Sequence, residues 1–101
     1  MSYRRGRSFE YRVRDRLERE GYIVFRTSKS SGRSKGGVDL VAIRNGSVVL
    51  VECKTSKGQV TSYLKQSLKE LAEVAGCRVL VYVKESEEWR KDKKPFLEIL
   101  P

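Results

Sequence analysis

The 101-residue sequence predicts an α/β fold in which a central mixed β-sheet is flanked by helices. Two charged segments place apolar residues every three or four positions, which is the spacing of an amphipathic helix. Short apolar runs, bounded by glycines or polar turns, lie between and after these segments as strands do. The predicted order is αβββαββ without an internal repeat, and we expect a single domain across residues 1–101.

The first predicted helix covers residues 4–20, where Phe9, Val13 and Leu17 recur every four positions and Gly21 provides the stop. The other predicted elements are strands at 22–25, 38–43 and 47–54, a helix at 61–75, and strands at 78–83 and 96–100. The highly charged stretch 84–95 lacks an apolar pattern, and we expect a loop there.

Two local signals define the middle of the sheet. The dipeptide Asn45-Gly46 strongly favours a tight hairpin turn between the second and third strands. The run Val48 to Val51 is continuously apolar, which suggests that the third strand is buried on both faces.

The composition excludes several classes of function. The sequence contains no histidine, which removes His-ligated zinc hydrolases and Ser-His or Cys-His triads. Two cysteines, Cys53 and Cys77, are too few for a disulfide framework or a zinc site. No apolar run approaches the roughly 18 residues that suggest a membrane span. We therefore expect a protein of the cytoplasm, inside the cell and close to DNA, without a membrane partner.

The charge points to a polyanionic partner. The chain has 22 Lys and Arg against 13 Asp and Glu, a formal net charge of +9. Residues 1–36 hold 11 of these bases and 4 of the acids, so +7 of the excess lies in the first third. Nucleic acid is the first expected partner and an anionic membrane the second. An ordinary solvated basic surface is the alternative.

Three charged residues converge in the predicted hairpin. Asp39 opens one strand, while Glu52 and Lys54 lie two positions apart near the end of the next, so they share a sheet face. Carboxylates are ligands that Mg²⁺ prefers, and a lysine beside them can orient water or stabilise charge in a transition state. A surface salt-bridge cluster is the alternative, but charges at the end of so apolar a strand need partners or a purpose.

An Asp followed about a dozen residues later by Glu-x-Lys resembles the core of the PD-(D/E)XK nuclease superfamily, which implies a restriction-endonuclease-like fold. Across residues 3–100 the chain further resembles the archaeal Holliday junction resolvases. The matching segments are Tyr3-Arg-Arg-Gly6 with Glu10, Gly21 to Arg26, Gly37 to Ala42, Val51 to Lys54 and Gly76 to Lys84, with Trp89 and Phe96 near the last strand.

This resemblance implies an endonuclease that resolves four-way DNA junctions by phosphodiester hydrolysis, with Mg²⁺, or alternatively Mn²⁺, as its cofactor. It implies three acidic metal-site residues, a backbone carbonyl ligand, a catalytic lysine and a loop serine. These are Glu10, Asp39 and Glu52, the carbonyl of Cys53, Lys54, and Ser31 with Ser30 as second choice. The Cys53 side chain is expected in the core. A salt bridge is the alternative role for Glu10, and an ordinary loop residue for the serine.

The resemblance and the charge together predict DNA contacts from the basic residues around the first helix and the following loop. These are Arg4, Arg5, Arg7, Arg26, Lys29, Arg33 and Lys35. Symmetric cutting of a junction calls for two sites related by a two-fold axis, so we expect a homodimer. Tyr63, Trp89 and Phe96 are candidate interface residues, with burial in the core as the competing explanation.

Two other functions stay open at this point. One is a different PD-(D/E)XK nuclease, such as a repair, restriction-like or viral enzyme that acts on ends or flaps. The other is a non-catalytic DNA-binding module of the same fold. The complete set of acids and lysine argues against the second, because a module without chemistry would be free to lose them.

Overall fold

A computed structural model describes residues 2–27 and 37–101 of the chain, with side chains described from residue 8 onward. The elements in chain order are α1 (Ser2–Arg19), β1 (Ile23–Arg26), β2 (Leu40–Arg44), β3 (Ser47–Lys54), a 3₁₀ turn (Lys57–Gln59), α2 (Ser62–Ala75), β4 (Val79–Val83), α3 (Glu87–Asp92) and β5 (Leu97–Ile99). Among these residues the predicted order αβββαββ is found, with the short helix α3 added to it. The boundaries of the other elements fall within about two residues of the predicted ones, which is the usual uncertainty in assigning the ends of helices and strands.

The five strands form one sheet in the order β1-β2-β3-β4-β5. Only the β3–β4 pair is parallel, and α2 provides the crossover between its two strands. The other neighbours are antiparallel, which confirms the predicted mixed sheet. Asn45 and Gly46 have φ values of 52° and 79°, the left-handed conformations that a two-residue hairpin between β2 and β3 requires.

Helices cover the two faces of the sheet separately. Phe9, Val13 and Leu17 of α1 are buried against one face, as their spacing predicts. Leu68 and Ala72 of α2 are buried against the other. β4 lies between both layers, and all five of its residues are buried. Burial of this kind provides most of the stability of such helices, since each buried aliphatic side chain contributes roughly 1.5–3 kcal/mol.

The predicted loop at 84–95 is wrong, because residues 87–92 form α3. The Ser86 hydroxyl caps this helix by accepting a hydrogen bond from the Trp89 amide at 3.1 Å. Trp89 is only 4% exposed and packs edge-on against Phe9 at 5.1 Å and Tyr82 at 5.8 Å between ring centroids. A single anchoring tryptophan, without apolar periodicity, is enough to hold this charged helix on the α1 layer.

The expected burial of β3 on both faces is wrong at its beginning. Val48 is 40% exposed and pairs with Ile43 of β2. Ile43 in turn pairs with Ile23 of β1, which is 64% exposed. The α2 layer packs on the β4 and β5 side of this face instead. Within the described ranges, we find no helix with the length and apolar character needed to cross a bilayer.

Candidate active site

Asp39 is bound to the residues on both sides of Glu52. Its amide donates a hydrogen bond to the Val51 carbonyl at 2.9 Å, and its carboxylate accepts one from the Cys53 amide at 2.7 Å. The side chain of Asp39, just before β2, thus accepts a hydrogen bond from the backbone of β3. The carboxylates of Asp39 and Glu52 are therefore neighbours across these two strands. Both are withdrawn from solvent, with Asp39 8% and Glu52 2% exposed.

Glu52 and Lys54 share a face of β3, as their spacing predicts. The Lys54 ammonium nitrogen lies 3.5 Å from Glu52 Oε2, and its side chain is 25% exposed against 2% for the glutamate. Leu50, the preceding residue on this face, packs in the α2 layer. Of this ion pair, the glutamate is buried and the lysine alone is partly open to solvent.

Cys53 directs its backbone towards Asp39 and its side chain away from it. The Leu50 amide donates to the Arg78 carbonyl, and the Lys84 amide donates to the Lys54 carbonyl, so the even positions of β3 bond to β4. The peptide groups of Cys53 therefore point to β2, where its N–H donates to Asp39. The Cys53 side chain packs against the α1 layer, which confirms its expected place in the core.

Thr27 fixes the backbone at Asp39, a role that sequence patterns do not identify. Its amide donates to the Asp39 carbonyl at 2.9 Å. Its hydroxyl contacts the Val38 carbonyl and, at 3.2 Å, the Asp39 carbonyl. The backbone that carries the Asp39 carboxylate is thus held from β1 as well as from β3.

Gln59 fixes the backbone of the residues that directly follow Lys54, and it is not among the residues predicted for the site from the sequence. Its side-chain oxygen accepts hydrogen bonds from the Thr55 amide at 2.9 Å, the Thr55 hydroxyl at 3.0 Å and the Ser56 amide at 3.2 Å. These bonds order the turn that follows β3. The spacing Ser56-x-x-Gln59, which is typical of a capping box, is the sequence signal that could have indicated it.

Glu10 lies on α1 and pairs with Arg26 of β1. The Arg26 Nε donates to the Glu10 carboxylate at 2.7 Å, and the glutamate side chain is 13% exposed. α1 covers the sheet face opposite the one that carries Glu52. Across residues 2–27 and 37–101 no three acidic, cysteine or histidine residues form a group that could hold a metal ion. A metal-site role for Glu10 stays a prediction.

The remaining predicted residues are not part of this description. Ser30, Ser31, Lys29, Arg33 and Lys35 lie outside the described residues, as do the side chains of Arg4, Arg5 and Arg7 at the start of α1. Among the predicted DNA contacts only Arg26 is described, with a side chain that is 43% exposed and engaged with Glu10.

The donor chemistry of the Asp39 and Glu52 pair fits a hard divalent cation. Both residues offer carboxylate oxygens, and the Cys53 carbonyl faces the same side. Two neighbouring carboxylates attract a cation electrostatically, and Lys54 lies 3.5 Å from one of them. Mg²⁺ commonly takes one or two protein carboxylates and completes its coordination with water and substrate phosphate.

Comparisons with known proteins bear on the family to which the chain is similar. Residues 1–98 match the family model described as archaeal Holliday junction resolvase (Hjc). The crossover junction endodeoxyribonuclease Hjc of Methanocaldococcus jannaschii is 41% identical over 69 residues, which are 68% of this chain and 48% of that protein. Its counterpart in Sulfurisphaera tokodaii is 29% identical over 85 residues, or 79% and 59% of the two chains. The chain thus spans about half the length of the curated relatives it matches.

The fold has a counterpart among solved structures. Archaeoglobus fulgidus Hjc, a Holliday junction resolvase, superposes with a TM-score of 0.64 at 21% identity, covering 78% of this chain and 68% of that one. This agreement confirms the predicted nuclease-type α/β fold.

Proposed function

Since the chain belongs to the archaeal Holliday junction resolvase family, we propose that residues 1–101 form a nuclease domain that cuts four-way DNA junctions by metal-dependent hydrolysis. The observation that carries this proposal is the contact of Asp39 with the residues on both sides of Glu52, with Lys54 3.5 Å from the same glutamate. An enzyme that resolves chromosomal junctions acts inside the cell, on DNA.

Asp39 and Glu52 would hold the metal ion, with the Cys53 carbonyl and Glu10 as further proposed ligands. Mg²⁺ is the proposed ion and Mn²⁺ the alternative. The bound divalent ion would act as a Lewis acid towards the scissile phosphate and would lower the pKa of a water molecule. Glu52 is 2% exposed and pairs with Lys54, and a buried ionised carboxylate is stabilised by nearby positive charge, to which a bound cation would add.

Lys54 supplies the positive charge of the mechanism. Its ammonium group is anchored by Glu52 Oε2 and remains a quarter exposed, so it can still donate to groups that approach the edge of the sheet. We propose that Lys54 orients the attacking water or stabilises the negative charge that develops on the phosphate oxygens. A preorganised donor of this kind contributes on the order of 10²–10³ in rate.

Two symmetric cuts call for two copies of the site, and we propose a homodimer. Trp89 is enclosed by its own core at 4% exposure and the partly buried Phe96 packs in the α2 layer, whereas Tyr63 is 78% exposed and stays a candidate interface residue. Further support for association comes from the end of the sheet that α2 does not cover, where Ile23 is 64% and Phe25 55% exposed. Exposed apolar side chains that are contiguous across strands are typical of association surfaces.

Sedimentation equilibrium tests the dimer. We expect the parent chain to be dimeric across the micromolar range and Phe25→Asp to shift it towards monomer. Val74→Asp is the matched control, because Val74 is 88% exposed on α2 and lies away from this end of the sheet. A parent that stays monomeric, or a control that dissociates as readily, contradicts the proposal.

A cleavage assay tests the substrate. A labelled four-way junction and a linear duplex of the same sequence are incubated with Mg²⁺, with Mn²⁺ and with a chelator. We expect cutting of the junction alone, and only with a divalent ion. Equal cutting of the linear duplex, or cutting from its ends, would favour another PD-(D/E)XK nuclease. Binding without cutting in any metal would favour the non-catalytic module.

A further inference from the structure

A groove between α1 and the end of α3 carries a concentration of positive charge. The residues that line this α1–α3 groove are Arg12, Asp15, Arg16, Arg19, Trp89 and Lys93. Four cations and one carboxylate give it a charge of 4 − 1 = +3 when all are ionised. α1 packs on the sheet face opposite Glu52 and Lys54, so the groove lies on the other face from these two residues, and of the proposed site residues it shares α1 with Glu10 alone.

Several described arginines are paired with carboxylates, whereas most cations of the groove are not. Four described arginines are each paired with a carboxylate: Arg14, Arg16, Arg26 and Arg78. Within the described part of the chain, Arg12, Arg19 and Lys93 have no carboxylate at ion-pair distance. Of the groove cations only Arg16 is neutralised, by Glu20 at 2.8 Å. The positive charge of the groove is therefore available to a ligand.

Two of these cations are held in place by aromatic rings. The Arg12 guanidinium carbon lies 5.8 Å from the centroid of the Phe9 ring, and the Lys93 ammonium nitrogen lies 5.2 Å from that of Trp89. Such contacts restrict a flexible cation at a modest gain of roughly 0.5–1 kcal/mol. The positions of the Arg12 and Lys93 charges are therefore restricted before a ligand binds.

The lining selects for phosphate rather than for bases or protein. Trp89 is 4% exposed, so it offers neither a free ring face on which a base could stack nor an apolar anchor of the kind that protein partners use. Seven residues separate Arg12 from Arg19, or about 10 Å along a helix. This length matches about three phosphates of one DNA strand at an axial rise of about 3.4 Å each.

We infer that the α1–α3 groove binds the sugar-phosphate backbone of a second DNA segment, separate from the strand at Asp39, Glu52 and Lys54. The inference rests on the proposed function, in which the substrate is a junction with four duplex arms. A contact on the opposite face of the sheet would hold an arm that is not being cut. Contacts to phosphates fix the position of DNA without reading its sequence, as recognition of a branched shape requires.

The salt dependence of junction binding, measured without divalent metal, tests this groove separately from cleavage. The groove variant neutralises its three available cations: Arg12→Gln, Arg19→Gln and Lys93→Gln. A control that is matched in net charge removes three cations elsewhere on exposed surface, of which Arg14 and Lys69 are already paired with carboxylates: Arg14→Gln, Lys65→Gln and Lys69→Gln. Each phosphate contact contributes about 0.9 to the slope of log K against log salt concentration. We expect the groove variant to lose about 2.7 from this slope and the control less than about 1.

A double variant that keeps the charge, Arg12→Lys with Arg19→Lys, is expected to retain the parent slope. Thermal melting of all variants shows whether the slopes refer to folded protein. If the groove variant melts early, Arg19→Gln alone tests the site, with an expected loss of about 0.9 from the slope, and an unchanged slope overturns the inference. A groove variant whose slope equals that of the control overturns the inference, even when the parent cuts junctions. If the groove variant has a reduced slope but the parent cuts no junction, the groove is supported and the proposed activity is refuted instead.

Discussion

Replacing Asp39 by asparagine separates the chemistry of the candidate site from its folding. The Asp39 carboxylate accepts the Cys53 amide hydrogen at 2.7 Å, and a carboxamide oxygen of the same shape can accept it too. Hydrogen bonds to a charged group contribute about 1.5–3 kcal/mol and neutral ones about 0.5–1.5 kcal/mol. We therefore expect Asp39→Asn to lose about 1 kcal/mol of unfolding free energy, or about 4–8 °C in Tm.

The effect on cleavage should be far larger than the effect on stability. Mutating even the outer partners of metal ligands costs about 10–100-fold, so losing a proposed ligand should cost at least about 100-fold. Binding to a junction in a chelator should survive, since the change removes negative charge from a surface that faces DNA. Single-turnover cleavage of a labelled junction, thermal melting and a metal-free binding titration measure the three quantities.

Asp39→Ala is the control for the structural role of the carboxylate. It leaves the Cys53 amide without its acceptor and should cost more than Asp39→Asn, up to about 3 kcal/mol, while its cleavage defect should equal that of Asp39→Asn. The reasoning is refuted if Asp39→Asn cuts within about tenfold of the parent rate while folded. It is also refuted if the asparagine variant is as unstable as the alanine variant, because the carboxylate would then act through the fold.

Substitutions at three further positions test other parts of the account. Lys54→Ala should slow cleavage by on the order of 10²–10³ while the protein stays folded, and a folded variant that cuts at the parent rate would make Lys54 structural. Thr27→Val should slow cleavage through the displaced Asp39 backbone whereas Thr27→Ser should not, and equal rates for the two variants in the same assay would remove Thr27 as a positioning residue. Trp89→Ala should lower the unfolding free energy in denaturant titration by about 3–5 kcal/mol because the ring fills the core, and a loss below about 1 kcal/mol would contradict that placement.

The sheet could be predicted from the sequence because its signals are local. Asn45-Gly46 specifies the hairpin, and the period of two along β3 puts Glu52 and Lys54 on one face, as found. The α3 helix was missed because it has one buried residue, Trp89, and no periodicity. Its ends do carry signals, since Ser86 precedes two acidic residues and basic residues occupy the last turn.

The parts of the site that could not be predicted depend on contacts between distant segments. Nothing in the spacing of residues shows that the Asp39 side chain accepts the Cys53 amide, because this bond forms where Asp39 enters β2. Helical periodicity places Glu10 beside the buried stripe of α1 but does not reveal that Arg26, 16 residues away, is its partner. Exposure of Val48 depends on how far α2 extends over the sheet, which is a matter of packing.

Mapping the cuts on a four-way junction with each strand labelled in turn tests the central claim most directly. We predict that the parent protein with Mg²⁺ cuts two strands of opposite polarity at symmetry-related positions near the crossover. Glu52→Gln should cut none of the four strands while it still binds the junction without metal. Cutting confined to free ends or to a single strand, or unchanged cutting by folded Glu52→Gln, would contradict the account.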